Sequence, residues 1–213
     1  MNLSKTNRLK NKKILITAGP TWVPIDSVRV ISNIATGQTG IMLAQKSAAL
    51  GAKVTLMLGP LGPCCLDKKI RLFRFRFFDD LRRLIRTELA KKTYDFIIHS
   101  AAVSDFSPKN FTKGKICSNS SFTLELRPLP KIIQDIRRLA PKARVVMFKL
   151  ESGLSDEALI KKSVSAMHNA GADFAVANRL DPYRAFILGK EGRTICARSK
   201  AELTRKLLGR LNK

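Results

Sequence analysis

The sequence is poor in the residues that build metal and redox sites. Its four cysteines are Cys64, Cys65, Cys117 and Cys196. No two of them stand in the C-x-x-C spacing of a zinc or thiol–disulfide site, so we interpret them as reduced thiols. Because His99 and His168 are the only histidines, a histidine-rich metal site is excluded.

Long apolar runs are also missing. None approaches the ~18–20 residues that a helix needs to cross a bilayer, and residues 1–13 lack the apolar stretch of a signal peptide. We therefore predict a cytoplasmic protein with no membrane partner. Residues 1–12 are expected to form a basic flexible tail, and residues 13–213 a single domain.

Two common nucleotide-binding signatures are absent. No G-x-G-x-x-G follows the first apolar run, and no G-K-[ST] lysine of a P-loop occurs. Only Tyr94 and Tyr183 could open a Tyr-x-x-x-Lys proton-transfer pair, and isoleucine stands four places after each. These gaps argue against a nicotinamide dehydrogenase and exclude a P-loop enzyme.

Acidic residues are scarce beside basic ones. Sixteen Asp and Glu face forty Lys and Arg, a formal net charge of +24 that attracts polyanions of every kind. The basic residues are spread along the whole chain, whereas a dedicated nucleic-acid module more often concentrates them on one element. We expect nucleic-acid binding to be non-specific at most.

One segment interleaves aromatic and basic residues. Phe73, Phe75 and Phe77 alternate with Arg74 and Arg76. A period of two fits a half-buried strand, but the same pattern could stack bases. The strand is favoured, and a basic nucleic-acid-binding protein on a Rossmann-like scaffold stays open as the alternative function.

Apolar runs and amphipathic segments alternate along the chain, which predicts an α/β fold with a doubly wound, mostly parallel sheet. The predicted strands are residues 13–17, 53–58, 71–77, 95–98, 122–126, 144–148 and 172–177. The predicted helices are residues 38–50, 79–92 (capped by Asp79), 130–139, 156–169 and a last one from the cap Ser199 to Leu211. Residues 185–188 and 193–197 are expected to pair as a small C-terminal β extension, and residues 110–121 to form a mobile flap.

Ligands of such sheets bind at the carboxyl ends of the strands. The loop after the first strand leads to Gly37 and Gly40 at the start of a helix, where backbone N–H groups favour anions. Two glycines alone are weak evidence for a phosphate site.

Seven motifs, in order, resemble those of the phosphopantothenate–cysteine ligase family over about residues 13–210. They are Ile16–Thr21 with Pro24–Arg29, Ile31–Asn33 with Gly37-x-x-Gly40, Ala101–Phe106, Lys115-Ile116, Pro130–Ile133, Phe148–Glu151 and Ala172–Asn178. The lysine and methionine usual in the second of these are Gln38 and Thr39 here, and the flap reads Lys-Ile-Cys-Ser. These differences remove positive charge near the expected phosphates.

The resemblance implies a dimeric, Rossmann-like enzyme that joins 4′-phosphopantothenate to L-cysteine. A nucleoside triphosphate, CTP or ATP, and Mg²⁺ would support formation of an acyl nucleotide, and no flavin is expected. It further implies a stand-alone ligase, with a phosphopantothenoylcysteine decarboxylase as a separate partner.

The resemblance also implies residue roles. Asn33 and the flap residue Lys115 would be catalytic, with no metal ligands assigned. The nucleotide would be bound by Gly19, His99, Ser100, Ala101, Asp105, Pro130, Lys131, Ile132, Ile133, Phe148 and Lys162. The other substrates would be bound by Arg29, Gly37, Gly40 and Asn178.

Overall fold

The computed structural model describes residues 9–62, 64–119 and 121–211. Its helices are α1 (Gln38–Ala49), α2 (Phe78–Lys91), α3 (Ile132–Leu139), α4 (Asp156–Asn169) and α5 (Lys200–Leu211). Its strands are β1 (Lys13–Ala18), β2 (Trp22–Pro24), β3 (Val30–Ser32), β4 (Lys53–Leu58), β5 (Arg71–Arg74), β6 (Phe96–His99), β7 (Phe106–Pro108), β8 (Leu126–Pro128), β9 (Arg144–Leu150), β10 (Phe174–Leu180), β11 (Tyr183–Gly189) and β12 (Thr194–Ala197).

Eight strands form one sheet in the order β12-β11-β10-β9-β6-β1-β4-β5. Six adjacent strands of this sheet, β5, β4, β1, β6, β9 and β10, are parallel. Numbered by their order in the chain, they lie in the doubly wound order 3-2-1-4-5-6. Strands β11 and β12 add an antiparallel hairpin at the β10 edge. The predicted fold class and the C-terminal extension are both confirmed.

The two faces of the sheet bury different residues because side chains alternate along a strand. In β1, Ile14 and Ile16 join α1 and α5 in one core, whereas Leu15 joins α2, α3 and α4 in the other. Every residue of β1 after Lys13 is buried, as expected of a central parallel strand covered by helices on both faces. Both strands at the switch in strand order, β1 and β6, are therefore enclosed in the core.

The aromatic segment is a shorter strand than predicted. Strand β5 ends at Arg74, because Phe75 turns into the core and the carbonyl of Arg76 accepts instead from the Trp22 N–H. Phe77 meets the Trp22 ring edge-on, with 6.2 Å between centroids. The Arg71 guanidinium lies 4.4 Å from the centroid of the Phe73 ring. Of the three phenylalanines, Phe75 is therefore buried and Phe73 lies under Arg71, whereas Phe77 stays 36% exposed.

Other element boundaries also differ from the prediction, and those of α2, α3 and β8 are examples. The N-cap of α2 is Phe77, not Asp79, because the Asp80 carboxylate accepts from the Phe77 N–H. Helix α3 starts at Ile132, with Lys131 as its N-cap. The strand predicted at 122–126 is instead β8, since its pairing with β7 involves Leu126–Pro128.

Part of the expected tail is packed. Leu9 is buried against the α1 side of the sheet, and its N–H donates to the Leu50 carbonyl. The Asn11 N–H donates to the Gly51 carbonyl. The ordered unit therefore includes residues 9–12, and the rest of the predicted tail lies outside the described residues.

Within residues 9–62, 64–119 and 121–211, no helix combines the length and apolar character needed to cross a membrane.

We predict that Gly40→Ala destabilises the protein by about 1–3 kcal/mol. A Cβ at Gly40 would lie 2.4 Å from the Ala18 Cβ and 2.8 Å from the Ser100 Oγ, so α1 would have to move away from β1. Gly209→Ala is the matched control: it is also helical, and a Cβ there meets nothing within 4 Å. It should stabilise by about 1 kcal/mol. Urea unfolding measures both, and equal effects would contradict the packing argument.

Candidate active site

The loops that follow β1 and β6 run side by side and are bonded to each other at the switch in strand order. The Ala102 N–H donates to the Gly19 carbonyl at 2.9 Å, and the Thr21 N–H donates back to the Ala102 carbonyl at 3.3 Å. The Ser100 hydroxyl donates to the Thr17 carbonyl at 2.7 Å. Two of these bonds join main-chain groups, and the third uses a short hydroxyl side chain to satisfy a main-chain carbonyl of the other loop.

A second set of bonds extends the contact. The Thr21 Oγ1 accepts from the Ser104 N–H at 2.9 Å, and the Ser104 hydroxyl donates to the Thr21 carbonyl at 3.2 Å. Thr17 and Thr21 are completely buried, and Ser104 nearly so. Because these buried polar groups are paired, the two loops hold one defined geometry.

A cleft of about 840 Å³ opens above these loops. Its walls come from the loop before α1, the loop after β6, the start of α3 and the ends of β9, β10 and β11. The predicted site residues that line it are Gly19, Asn33, Gly37, Gly40, His99, Ser100, Ala101, Asp105, Pro130, Lys131, Ile132, Ile133, Phe148 and Asn178. The fold thus brings together residues that lie up to 159 positions apart, between Gly19 and Asn178.

His99 ends β6 at the floor of the cleft. Its Nδ1 lies 2.8 Å from the Thr17 Oγ1, which also accepts from the Ala101 N–H. Burial lowers the pKa of His99 to about 4, because an imidazolium would lose its hydration. At neutral pH, His99 is therefore uncharged and contributes a hydrogen-bonding ring rather than a positive charge.

The Asn33 side chain is exposed but already bonded. Its Nδ2 donates to the carbonyls of Ala102 at 3.2 Å and Val103 at 3.0 Å. The amide thereby fastens the loop before α1 to the loop after β6. A role as donor to a substrate, predicted from the resemblance, would require one of these bonds to be released.

Asp105 and Lys131 meet across the cleft as an ion pair. Both side chains are more than half exposed, so the pair is accessible to a ligand that could replace either partner. Asp105 is the only carboxylate among the described residues that line the cleft.

The start of α1 forms one wall. Gly37 has φ +64°, a left-handed conformation that favours glycine, and a Cβ there would lie 2.4 Å from the Leu61 Cδ1. No acidic residue stands in the first turn of α1. The Gln38 N–H donates to the Thr36 Oγ1 at 3.4 Å, but no acidic side chain neutralises the positive end of the helix dipole where residues 37–40 line the cleft.

Three predicted site residues lie outside the cleft. Arg29 donates to the Asp26 carboxylate at 3.0 Å and to the Ile116 carbonyl at 3.1 Å. Lys162 is paired with Glu151 at 2.9 Å. Lys115 is exposed on the flap and has no ion pair within the part of the chain that the structure describes.

Asp26 anchors the base of the flap. Its buried carboxylate accepts from the N–H groups of Ile116, Val28 and Arg29 at 2.7–3.0 Å. The pKa of Asp26 falls from 3.8 to about 2, chiefly through the Ile116 N–H and also through the Arg29 charge, although burial opposes the shift. Residues 112–116 are thus fixed to the turn between β2 and β3, and Lys115 lies within this fixed segment.

Sequence reasoning missed several residues of the cleft. Lys149, Tyr183 and Lys200 line it, and none stood among the predicted site residues. Lys149 follows Phe148 in a motif that was identified, so its position was within reach. Tyr183 and Lys200 come from the C-terminal extension and the start of α5, and no local pattern marks them.

Residues 9–212 match the model of the family described as DNA/pantothenate metabolism flavoprotein C-terminal domain. The chain is 38% identical over 176 residues to the coenzyme A biosynthesis bifunctional protein CoaBC of Thermococcus kodakarensis, which covers 82% of this chain and 43% of that protein. The chain spans about half the length of the curated relatives it matches.

Solved structures give the same picture. The chain is similar to the C-terminal domain of a coenzyme A biosynthesis bifunctional protein CoaBC, with a TM-score of 0.81 and 25% identity, over 97% of this chain and 96% of that one. It also resembles a Cab2 mutant in complex with phosphopantothenate-cysteine, with a TM-score of 0.77 over 95% of this chain and 87% of that one. At 19% identity, the second likeness shows the fold alone.

We predict that His99 makes stability fall as the pH drops from 6.5 to about 4. In that range His99 is protonated in the unfolded chain but not in the folded chain. The free energy of unfolding therefore falls, by on the order of 3 kcal/mol once the pH reaches about 4. His99→Asn should lack this component while keeping a polar group near Thr17. Urea unfolding of both proteins at several pH values measures it. Parallel curves across this range would contradict the burial argument.

We also predict that Asp26→Asn loosens the flap. The variant should be less stable than the wild type at pH 7 and cleaved faster by protease within residues 110–119. The difference in stability should persist above pH 3.8 and narrow as the pH falls toward about 2, where the wild-type carboxylate begins to be protonated in the folded state. Asp79→Asn removes the same charge at an exposed position and is the control. Unchanged proteolysis of Asp26→Asn would overturn the anchoring role.

Proposed function

Because this chain belongs to the family of the DNA/pantothenate metabolism flavoprotein C-terminal domain, we propose that it is a phosphopantothenate–cysteine ligase of coenzyme A biosynthesis. The observation that carries the proposal is the cleft at the switch between β1 and β6, where the family-like motifs converge. In doubly wound sheets, this is where ligands bind.

The proposed reaction has two steps. The carboxylate of 4′-phosphopantothenate attacks the α-phosphorus of a nucleoside triphosphate, which forms a mixed acyl–phosphate anhydride and releases pyrophosphate. The amine of L-cysteine then attacks the acyl carbon, the nucleoside monophosphate leaves, and the amine loses a proton. Because the first step joins an anion to a polyanion, catalysis requires positive groups around the phosphates.

The cleft offers such groups. The N-terminus of α1 presents N–H groups at Gly37 to Gly40, and Lys131 lies across from Asp105. We propose that the neutral His99 ring and the Ser100–Ala101 backbone contact the nucleotide. The base would lie against Pro130–Ile133 and Phe148, and Asn178 would lie near the pantothenate arm. Arg29 and Lys162 stay predictions, since each is bonded elsewhere in this structure.

The flap supplies the remaining proposed catalytic cation. Its main chain is bonded at Gly114 and Ile116, on either side of Lys115, whereas the Lys115 side chain is solvent-exposed. We propose that Lys115 closes over the triphosphate and that closure shields the acyl nucleotide from water. Asn33 would then bond the acyl oxygen after it releases the Ala102 or Val103 carbonyl.

Mg²⁺ fits this arrangement only as a companion of the triphosphate. No group of three or more His, Cys, Asp or Glu that could hold a metal occurs among the described residues. Mg²⁺ commonly binds one or two carboxylates together with substrate phosphates, and Asp105 could supply the carboxylate. When bound, the ion would neutralise phosphate charge.

A homodimer is part of the proposal. Two hairpins, β2–β3 and β7–β8, carry large apolar side chains that are 38–67% exposed, namely Val28, Val30, Phe106 and Leu126. A second copy packed on them would remove this apolar surface from water. The cytoplasmic location and a separate decarboxylase partner remain predictions.

The nucleic-acid alternative rests on charge alone. A net charge of +24 supports salt-sensitive, non-specific binding of polyanions. The aromatic segment adds little to it, because Phe75 is buried and Phe73 lies under Arg71.

We predict that the purified protein releases pyrophosphate from CTP or ATP only when phosphopantothenate and Mg²⁺ are present. The thiol-bearing amide should appear only when cysteine is added. The preferred nucleotide is the triphosphate that gives a half-maximal rate of pyrophosphate release at the lower concentration, and we expect it to be CTP. No release with either triphosphate, from folded protein, would overturn the ligase proposal.

We predict that Lys115→Gln lowers the rate of pyrophosphate release about 100-fold, because a cation that faces the developing charge is lost. Lys113→Gln removes an exposed flap lysine two residues earlier and should change the rate little. Asn33→Asp should also be slow, since it places a negative charge beside the acyl oxygen. Equal rates for the two lysine variants would exclude the proposed role of Lys115.

A further inference from the structure

Three lysines line the cleft, and they differ in what neutralises them. Lys131 is paired with Asp105, and Lys149 is paired with Glu151 at 3.0 Å. Lys200 has no carboxylate partner among residues 9–62, 64–119 and 121–211. Its Nζ donates instead to the Gln38 Oε1, a neutral acceptor, at 2.7 Å.

The position of Lys200 adds to the field of α1. Gln38 is the first residue of α1, and Lys200 is the first residue of α5. The Lys200 ammonium therefore lies beside the helix start whose first turn holds no acidic residue. A cation and a helix dipole end act on the same part of the cleft, and both favour an anion.

The contact with Gln38 is also easy to exchange. A lysine bonded to a neutral amide keeps its whole charge, and an anionic oxygen is a stronger acceptor than an amide carbonyl. A ligand phosphate can therefore take the place of the Gln38 Oε1 without leaving a carboxylate unpaired. At Lys131 or Lys149, the same exchange would break an existing ion pair.

We infer that Lys200 binds a phosphate group of a ligand in the cleft and that Gln38 holds its ammonium in place while the cleft is empty. The inference rests on the proposed function for the identity of the ligand. Both the nucleoside triphosphate and 4′-phosphopantothenate carry phosphate esters, and this shared chemistry is what Lys200 recognises. The Gln38 side chain thus has a positive group beside it that comes from a helix 162 residues further along the chain.

Equilibrium binding tests the inference without turnover. Isothermal titration calorimetry at fixed ionic strength would measure CTP alone, ATP alone and phosphopantothenate alone against the full chain. Lys200→Gln should weaken at least one of these ligands about 10-fold or more, because a charge-assisted hydrogen bond contributes more than a neutral one. Lys142→Gln removes one charge at an exposed position at the opposite end of the sheet, and it should leave all three affinities unchanged.

Two further variants separate charge from structure. Lys200→Arg keeps the positive charge and should retain most of the affinity. The double variant Gln38→Lys/Lys200→Gln places an ammonium on the other partner of the 2.7 Å contact and should regain binding that Lys200→Gln loses. A structural role for Lys200 would instead lower the thermal midpoint and would not be repaired by a lysine at position 38.

The outcomes are distinct. Weakening of both triphosphates places Lys200 at the nucleotide phosphates, and weakening of phosphopantothenate alone places it at that ester. Equal affinities of Lys200→Gln and Lys142→Gln for all three ligands would overturn the inference, even in an active ligase. Loss of affinity in Lys200→Gln, from a wild type that binds but never turns over, would support Lys200 and defeat the ligase proposal instead.

Discussion

The site depends on one constraint, which is that the loops after β1 and β6 are bonded to each other. In a doubly wound sheet these two strands are neighbours whose helices leave in opposite directions, so a crevice opens between their carboxyl ends. Left to themselves, two such loops would expose unpaired backbone groups. Here the hydroxyls of Thr17, Thr21, Ser100 and Ser104 satisfy many of those groups, and the crevice keeps a fixed floor.

The parts of the cleft that surround this floor are attached to it. Helix α1 sits close to it because Gly40 has no side chain to separate it from Ala18. The Asn33 amide joins the preceding loop to Ala102 and Val103. The flap is attached through Asp26, whose carboxylate gathers three N–H groups. The floor and the flap main chain around Lys115 are both held by hydrogen bonds, so the exposed Lys115 side chain is the part of the flap that is left to reach toward substrates.

The sequence predicted the fold well because apolar periodicity is a local signal. Strand β4 and helix α4 have the predicted bounds, since each is enclosed by clear stop signals. The prediction failed where long-range contacts decide the outcome. The strand at 71–77 is cut short by Phe75 and Trp22, and the strand at 122–126 is shifted by its pairing with β7.

The same distinction holds for the site. Gly37 and Asp105, which were predicted from the recognised motifs, line the cleft, and their roles there stay predictions. Lys162 was expected at the nucleotide but is held by Glu151, a contact that no spacing rule reveals. Lys200 was not predicted, because its partner Gln38 is 162 residues away and neither residue type is distinctive by itself.

Because the chain has far fewer acidic than basic residues, few carboxylates are available to neutralise the cations of the cleft. One carboxylate, that of Asp135, forms ion pairs with three arginines, Arg82, Arg86 and Arg138. Four more acids are each shared by two cations: Glu88 by Arg71 and Lys92, Glu151 by Lys149 and Lys162, Asp156 by Arg179 and Arg184, and Asp173 by Arg137 and Lys190. With so many carboxylates already shared, few are left to neutralise the cleft.

This shortage suits the proposed chemistry. Two unit anions held 4 Å apart repel by about 4 kcal/mol at an effective dielectric constant of about 20, so a carboxylate approaches a triphosphate only where positive groups offset the repulsion. Lys131 can offset the repulsion only if it exchanges the Asp105 carboxylate for the phosphate. Lys200, opposed only by an amide oxygen, and the uncapped start of α1 keep their full effect on an incoming phosphate. The excess of basic residues by itself predicts attraction to any polyanion. In this cleft it leaves a positive group, Lys200, beside the start of α1, where a phosphate can bind.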